Sequence, residues 1–129
     1  MKSIIPFLIF VLLLLSCNDN RVEKPKNLID EDLMVDILFD ISILEAIRVN
    51  NPVSLENRGI DPKTYIYSKY KIDSLQFAKS DKFYASDIEK YAKIYDKVIK
   101  RIEVAKIATD SLVLKRVKNN AKSRKTPNL

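Results

Sequence analysis

The stretch from Asp30 to Val49, DEDLMVDILFDISILEAIRV, decides the fold. Leu33, Met34, Ile37, Leu38, Ile41 and Leu44 recur at three- and four-residue steps, the period of one helix face. Val35, Phe39 and Ala46 extend that stripe well round the cylinder, and a helix this apolar has to be covered on more than one side. Asp30, Glu31 and Asp32 crowd its start, where carboxylates accept from free N–H groups and suit the positive end of the helix dipole. Asn50-Asn51-Pro52 ends it. The pattern predicts a central helix.

Working outward, Val53 to Ile60 holds the only glycine, Gly59, and reads as a loop. Asp61-Pro62 is a helix start, an N-cap residue followed by proline at the first helical position. Tyr65, Ile66 and Tyr70 give that short helix an apolar face. Asp73 caps another short turn carrying Leu75, Phe77 and Ala78, and Ser80-Asp81 starts a further turn holding Phe83 and Tyr84. Asp87 caps a long helix in which Ile88, Tyr91, Tyr95, Val98, Ile102, Ala105, Thr109 and Leu112 form a seam at three- and four-residue steps. Ile37, Ile41 and Leu44 are expected to meet Tyr95, Val98 and Ile102 in the core. One glycine in 129 residues argues against a turn-rich β-sandwich or barrel. The expected fold class is all-α: a small bundle of three to four helices with one long C-terminal helix, after a cleaved lipoprotein signal peptide.

That signal is read from the N-terminus. Lys2 supplies a positive start, and Ile4 to Leu15 is a 12-residue stretch, apolar throughout once Pro6 is allowed. It is too short to span a hydrocarbon core, which needs about 20 residues, and fits a secretory signal. Leu14-Leu15-Ser16-Cys17 follows, with a small residue before the only cysteine, and resembles the lipobox of bacterial lipoproteins. The resemblance implies a diacylglyceryl thioether on Cys17, cleavage before it and often acylation of the new amino terminus. The expected divisions are a lipoprotein signal peptide over 1–16, the lipidated Cys17 and a polar tether over 17–27, a helical domain over 28–114 and a basic, disordered tail over 115–129. Asn18, not Asp, follows Cys17, and Asp19 alone is a poor match to surface-export signals, so the expected site is the outer membrane, facing the periplasm.

Charge is unevenly divided. From Cys17 to Asp110 there are 16 bases and 17 acids. Beyond Leu114 come Lys115, Arg116, Lys118, Lys122, Arg124 and Lys125, with no acid. Such a tail is either solvated and unbound or a contact for anionic lipid. Nucleic acid is disfavoured, because no aromatic residue lies in the tail to stack on bases.

The constellations able to carry chemistry are few. With no His, the commonest general base and metal ligand is missing, and a single Cys excludes a disulfide framework or a thiolate zinc site. No Gly-rich phosphate loop is present. Asp32, Asp36 and Asp40 form a ladder on one helical stripe, where like charges four apart repel by a few tenths of a kcal/mol. A solvated face, or pairing with Lys90, Lys93, Lys97 or Lys100, suits that ladder better than a bound cation, since Ca²⁺ takes six to eight oxygens. Six tyrosines lie between positions 65 and 95 with Phe77 and Phe83 among them. Most of them follow the apolar spacing of a core. Tyr65, Tyr67, Tyr70 and Tyr84 are the candidate ligand or partner surface, with Tyr67 expected to face outward most.

A family resemblance rests on Pro25, Leu28 and Ile29, then Met34, Ile37-Leu38 and Asp40. A second block is Ile66, Lys69-Tyr70-x-Ile72, Phe77, Ser80 and Phe83-Tyr84, ending with Ile94-Tyr95, Val98 and Ile102. These residues, in this order behind the lipobox, resemble a family of bacterial lipoproteins catalogued as domain of unknown function 4296. Lys71 stands where that family often has a helix-ending Gly, so a turn of another shape is expected there. The resemblance implies a small helical lipoprotein and no activity. The expectation is a non-catalytic structural or adaptor protein at the periplasmic membrane surface, with no cofactor or metal, working through an envelope protein partner. The alternative is a small-ligand or glycan-binding module that uses the aromatic cluster.

Overall fold

The computed structural model describes residues 22–124. Among them are five helices and no strand: α1 (Glu31–Asn50), α2 (Pro52–Glu56), α3 (Pro62–Tyr70), α4 (Ser74–Ala85) and α5 (Ile88–Arg124). The all-α bundle with a long final helix is as read from the sequence. The fifth helix is the single-turn α2, in the segment expected to be a loop. Pro52 is suited to a first helical turn, and Leu55, buried in the core, fixes that turn against α1. The chain leaves α2 through Gly59, whose φ of 62° lies in the left-handed region, and the Ile60 N–H donates back to the Leu55 carbonyl.

Helix starts follow local side-chain chemistry. A carboxylate oxygen of Asp30 accepts from the Asp32 N–H, Asp61 from Thr64, Asp73 from Gln76 and Asp87 from Lys90, at 2.7–3.0 Å. The end of α3 departs from expectation. Lys71 itself takes the left-handed conformation, with φ 52° and ψ 42°, and the Ile72 N–H donates to the Tyr67 carbonyl. The turn keeps the shape a glycine would give it, at a cost of about 1 kcal/mol in backbone strain.

The two turns expected around Asp73 and Ser80 are one continuous helix, α4. Ser80 does not cap a break: it is fully buried in mid-helix, and its hydroxyl oxygen accepts from the Ile29 N–H at 3.0 Å. A tertiary partner has taken the hydroxyl that would otherwise favour a helix start.

α1 is the hub, packing against α5, α2 and α3, while α4 packs against α5. The lead-in strap before α1 ties α4 in. Ile29 is buried, and Gln76 Nε2 donates to the Asn27 carbonyl at 3.0 Å. The segment assigned to a tether is therefore held against the domain at its end. The core comprises Ile29, Met34, Val35, Ile37, Leu38, Leu44, Leu55, Ile66, Tyr84, Ile94 and Val98.

On α5 the buried line runs through Ile94 and Val98, with Tyr91, Ile102 and Ala105 partly covered beside it. Tyr95, expected in the core, is 40% exposed, and Ile88 is 82% exposed. Ile37, Leu44 and Val98 are buried as expected, while Ile41 and Ile102 sit at the core's edge. Beyond Ala105 no residue with a described side chain is covered, yet the helix continues to Arg124. The first ten residues assigned to a disordered tail, 115–124, are thus helical. Extending an existing helix costs little, Lys, Arg and Ala are good helix formers, and no proline intervenes before Pro127. Cys17, the signal segment 1–16 and Lys125 lie outside the described residues.

Candidate functional site

Each member of the carboxylate ladder on α1 has a cation. Lys97 of α5 donates to Glu31 at 2.8 Å and to Asp32 at 3.2 Å. Arg101 of α5 pairs with Asp36, and its guanidinium lies 4.7 Å from the Phe39 ring centroid. Lys69 of α3 pairs with Asp40, which also accepts from the Tyr70 hydroxyl at 2.8 Å. Of the four lysines expected opposite the ladder, Lys97 is the one that pairs; Arg101 and Lys69 take the other two carboxylates. The ladder is a seam that clamps α1 to α5 and α3. The carboxylates raise the pKa of the Lys97 and Lys69 ammonium groups, first through the hydrogen bonds that these donate to Glu31 and Asp40. Among the described residues no cluster of carboxylates forms a metal centre.

The tyrosines do not converge on one surface. Tyr84 is 4% exposed, and its hydroxyl donates to the Ile29 carbonyl at 2.7 Å, so it is a core residue and not part of a binding face. Burial, then the nearby carboxylates of Asp30 and Glu31, pushes its phenol pKa up. Tyr70 is half-buried, and the one proton of its hydroxyl is shared between Asp40 and, at 3.1 Å, the Asp36 carbonyl; burial and the Asp40 carboxylate push its pKa up to about 12. Tyr67 is partly covered, packed against the core, while Tyr65 is the outward one at 41% exposure. The order of those two is the reverse of the expected one. The helical turn that aims Ile66 into the core leaves Tyr65 and Tyr67 on either side of it, and only the neighbours decide which is covered. Tyr91 and Tyr95 meet edge to face on α5, and Tyr91 also donates to Asp81 at 3.0 Å. The hydrogen bond with Tyr95, then burial and Asp81, raises the Tyr91 pKa. Among the described residues every buried polar side-chain atom has a partner.

Two surfaces among the described residues bear on function. The first is an open hollow of about 420 Å³ between the C-terminal half of α1 and helices α3 and α4. Ile41, Leu44, Ile66, Tyr67 and Phe77 form its apolar lining. Charged residues border it: the Glu45–Arg48 pair, at 2.6 Å, with Asp61 and Lys63. The Asp61 carboxyl is held below its usual pKa by its hydrogen bonds with Thr64. The second surface is the far part of α5, where Val104, Ile107, Leu112, Val113, Leu114 and Val117 are each more than half exposed.

One family model, described as Domain of unknown function (DUF4296), matches residues 25–108. The chain belongs to this family. No match is found among the curated proteins or among the solved structures. The DUF4296 segment starts at Pro25, whose carbonyl accepts from the Leu28 N–H where the strap enters the fold. It ends three residues past Ala105, the last partly covered residue of α5. The DUF4296 match therefore coincides with the packed body, and the exposed, basic end of α5 lies beyond it.

Ile29, Ser80 and Ile94 belong to the residues of the family resemblance, but the apolar pattern gave them no place in the core. Ile94 has a usable signal: the series 91, 94, 98, 102, 105 keeps helical spacing as well as the seam through Tyr95 does. Nothing local marks Ser80 or Ile29, whose hydrogen bond joins positions 51 residues apart.

Proposed function

We propose that this protein is anchored in the cell envelope by lipid on Cys17 and serves as a non-catalytic structural or adaptor protein at the periplasmic membrane surface. The observation that carries the adaptor reading is the hollow between α1, α3 and α4. Its apolar lining with a charged border is the form of a site that takes one or two anchor side chains of a partner, where binding energy concentrates. The tyrosines and carboxylates elsewhere are engaged in holding helices together, which supports a scaffold more than a reactive centre. The lipobox-like Leu14-Leu15-Ser16-Cys17 supports the anchor, and two or three acyl chains bind a bilayer stably at about 0.8 kcal/mol per buried CH₂.

A second reading is favoured by the size of the same hollow. About 420 Å³ lies within the range of small-molecule sites, so a small apolar ligand or a glycan is the alternative occupant. Three measurements test the anchor and the two readings of the hollow. In cells fed a fatty-acid probe, the full chain should label and Cys17→Ala should not; normal labelling of the variant would remove the anchor. A photo-crosslinking side chain installed at Lys63, on the border of the hollow, should give a discrete protein adduct in envelope membranes that the same side chain at Lys82 does not. No adduct, together with a small molecule retained in native mass spectrometry and lost in Tyr67→Ala, would transfer the hollow to the ligand reading.

A further inference from the structure

The end of α5 has a sidedness that the sequence alone does not establish, because it depends on the segment being helical. At about 100° per residue, Val113, Leu114, Val117 and Ala121 fall within an arc of about 100°. Lys115, Lys118 and Lys122 follow one edge of that arc at i, i+3 and i+7, and Arg116 lies beyond the other edge. Asn119 stands on the opposite side. Val113, Leu114 and Val117 are 51%, 61% and 60% exposed, and no other described element covers them. Asp110, the last acid of the chain, sits just before this segment; from Ser111 to Leu129 there are six bases and no acid.

We propose that residues 113–122 of α5 form a docking surface for an anionic lipid bilayer, lying along it with the Val113–Leu114–Val117–Ala121 arc against the acyl boundary. Charge complementarity selects this occupant. Lysines bordering an apolar arc place their stems over apolar surface and their ammonium groups at the level of the phosphates. Each strengthens the attraction to an anionic surface. A second copy of the same segment fits poorly, since pairing two such segments brings bases against bases with no acid beyond Asp110 in either to answer them. The arc runs along the helix axis, so the contact is parallel to the surface. Four small or medium apolar residues make it a weak contact that depends on salt.

The test uses the full chain with its only cysteine changed, Cys17→Ser, so it is independent of lipid at that position. An environment-sensitive dye is attached through Val117→Cys in one variant and Asn119→Cys in another. With phosphatidylglycerol vesicles at low salt, the dye at position 117 should shift to the blue and the dye at 119 should not. With phosphatidylcholine vesicles neither should shift. Adsorption through the apolar stretch Ile4 to Leu15 is common to both vesicle types and leaves this contrast intact. Lys115→Glu combined with Lys118→Glu should abolish the shift while circular dichroism stays helical. No shift at 117, equal shifts at 117 and 119, or a shift at 117 that grows with protein concentration in the absence of vesicles would each overturn the proposal, the last in favour of self-association.

Discussion

The hydroxyl of Tyr84 donates to the carbonyl of Ile29 at 2.7 Å, joining residues 55 apart in sequence, while the N–H of the same Ile29 donates to Ser80. Both main-chain polar groups of a buried residue in the strap are thereby satisfied by α4. A buried group that loses its only partner costs about 1–3 kcal/mol. Tyr84→Phe and Ser80→Ala should each lower stability by that amount in urea unfolding. Because Ser80→Ala orphans the Ile29 N–H, it should also speed hydrogen exchange at that amide. If both variants unfold with the wild-type midpoint, the strap is not held by α4.

The core line on α5 makes a second prediction. Ile94 and Ile37 are fully buried, so truncating either to Ala should cost about 2–5 kcal/mol. Ile88→Ala and Val104→Ala, on exposed positions of the same helix, should stay within about 0.5 kcal/mol. A large loss at Ile88 with little at Ile94 would mean that α5 is rotated from the orientation described.

Two left-handed residues form a matched pair. Lys71→Gly should stabilise the protein by up to about 1 kcal/mol, because glycine adopts that conformation without a Cβ penalty. Gly59→Ala should lose a similar amount, through the backbone alone, since a Cβ there meets nothing within 4 Å. Thermal midpoints of the two variants should move in opposite directions.

The phenols set the alkaline limit. Tyr70 titrates at about 12 in the fold, and Tyr84 and Tyr91 are also raised, against about 10 in an unfolded chain. A group whose folded value is raised contributes stability fully below its unfolded value and loses it as pH rises through the folded one. Lys69 and Lys97, raised by their carboxylate partners, act in the same direction. The thermal midpoint should hold from neutral pH to about 10 and fall between about 10 and 12. Tyr70→Phe should lower the midpoint at neutral pH, by removing the bond to Asp40, and make the alkaline fall shallower. A midpoint unchanged at pH 12 would contradict this account.

Much of the secondary structure was legible because its determinants are local. Asp30, Asp61, Asp73 and Asp87 each cap a helix by accepting from an N–H two or three residues on, a relationship visible in sequence. The stripe on α1 needs only a 3.6-residue period. The expected break at Ser80 failed for the complementary reason: the bond that holds its hydroxyl comes from Ile29. The apolar pattern fades beyond Leu114, where a helix was expected to run a turn or two further, and α5 continues to Arg124; a helix propagates without needing anything to pack on, so fading periodicity marks where packing ends and not where the helix ends.

The candidate surfaces divide the same way. Composition and spacing alone settled that the chain is helical, that α1 is covered on several sides, that the basic excess lies after Asp110, and that the ladder at 32, 36 and 40 required compensation. Folding alone decided that Lys97, Arg101 and Lys69 supply that compensation, that Tyr84 points inward while Tyr65 points out, and that an apolar hollow opens between α1, α3 and α4. The reason is range. Capping and periodicity act over three or four residues, whereas the partners of these side chains stand 29 to 66 residues away, and several lysines of similar spacing competed for each carboxylate until the helices took their places.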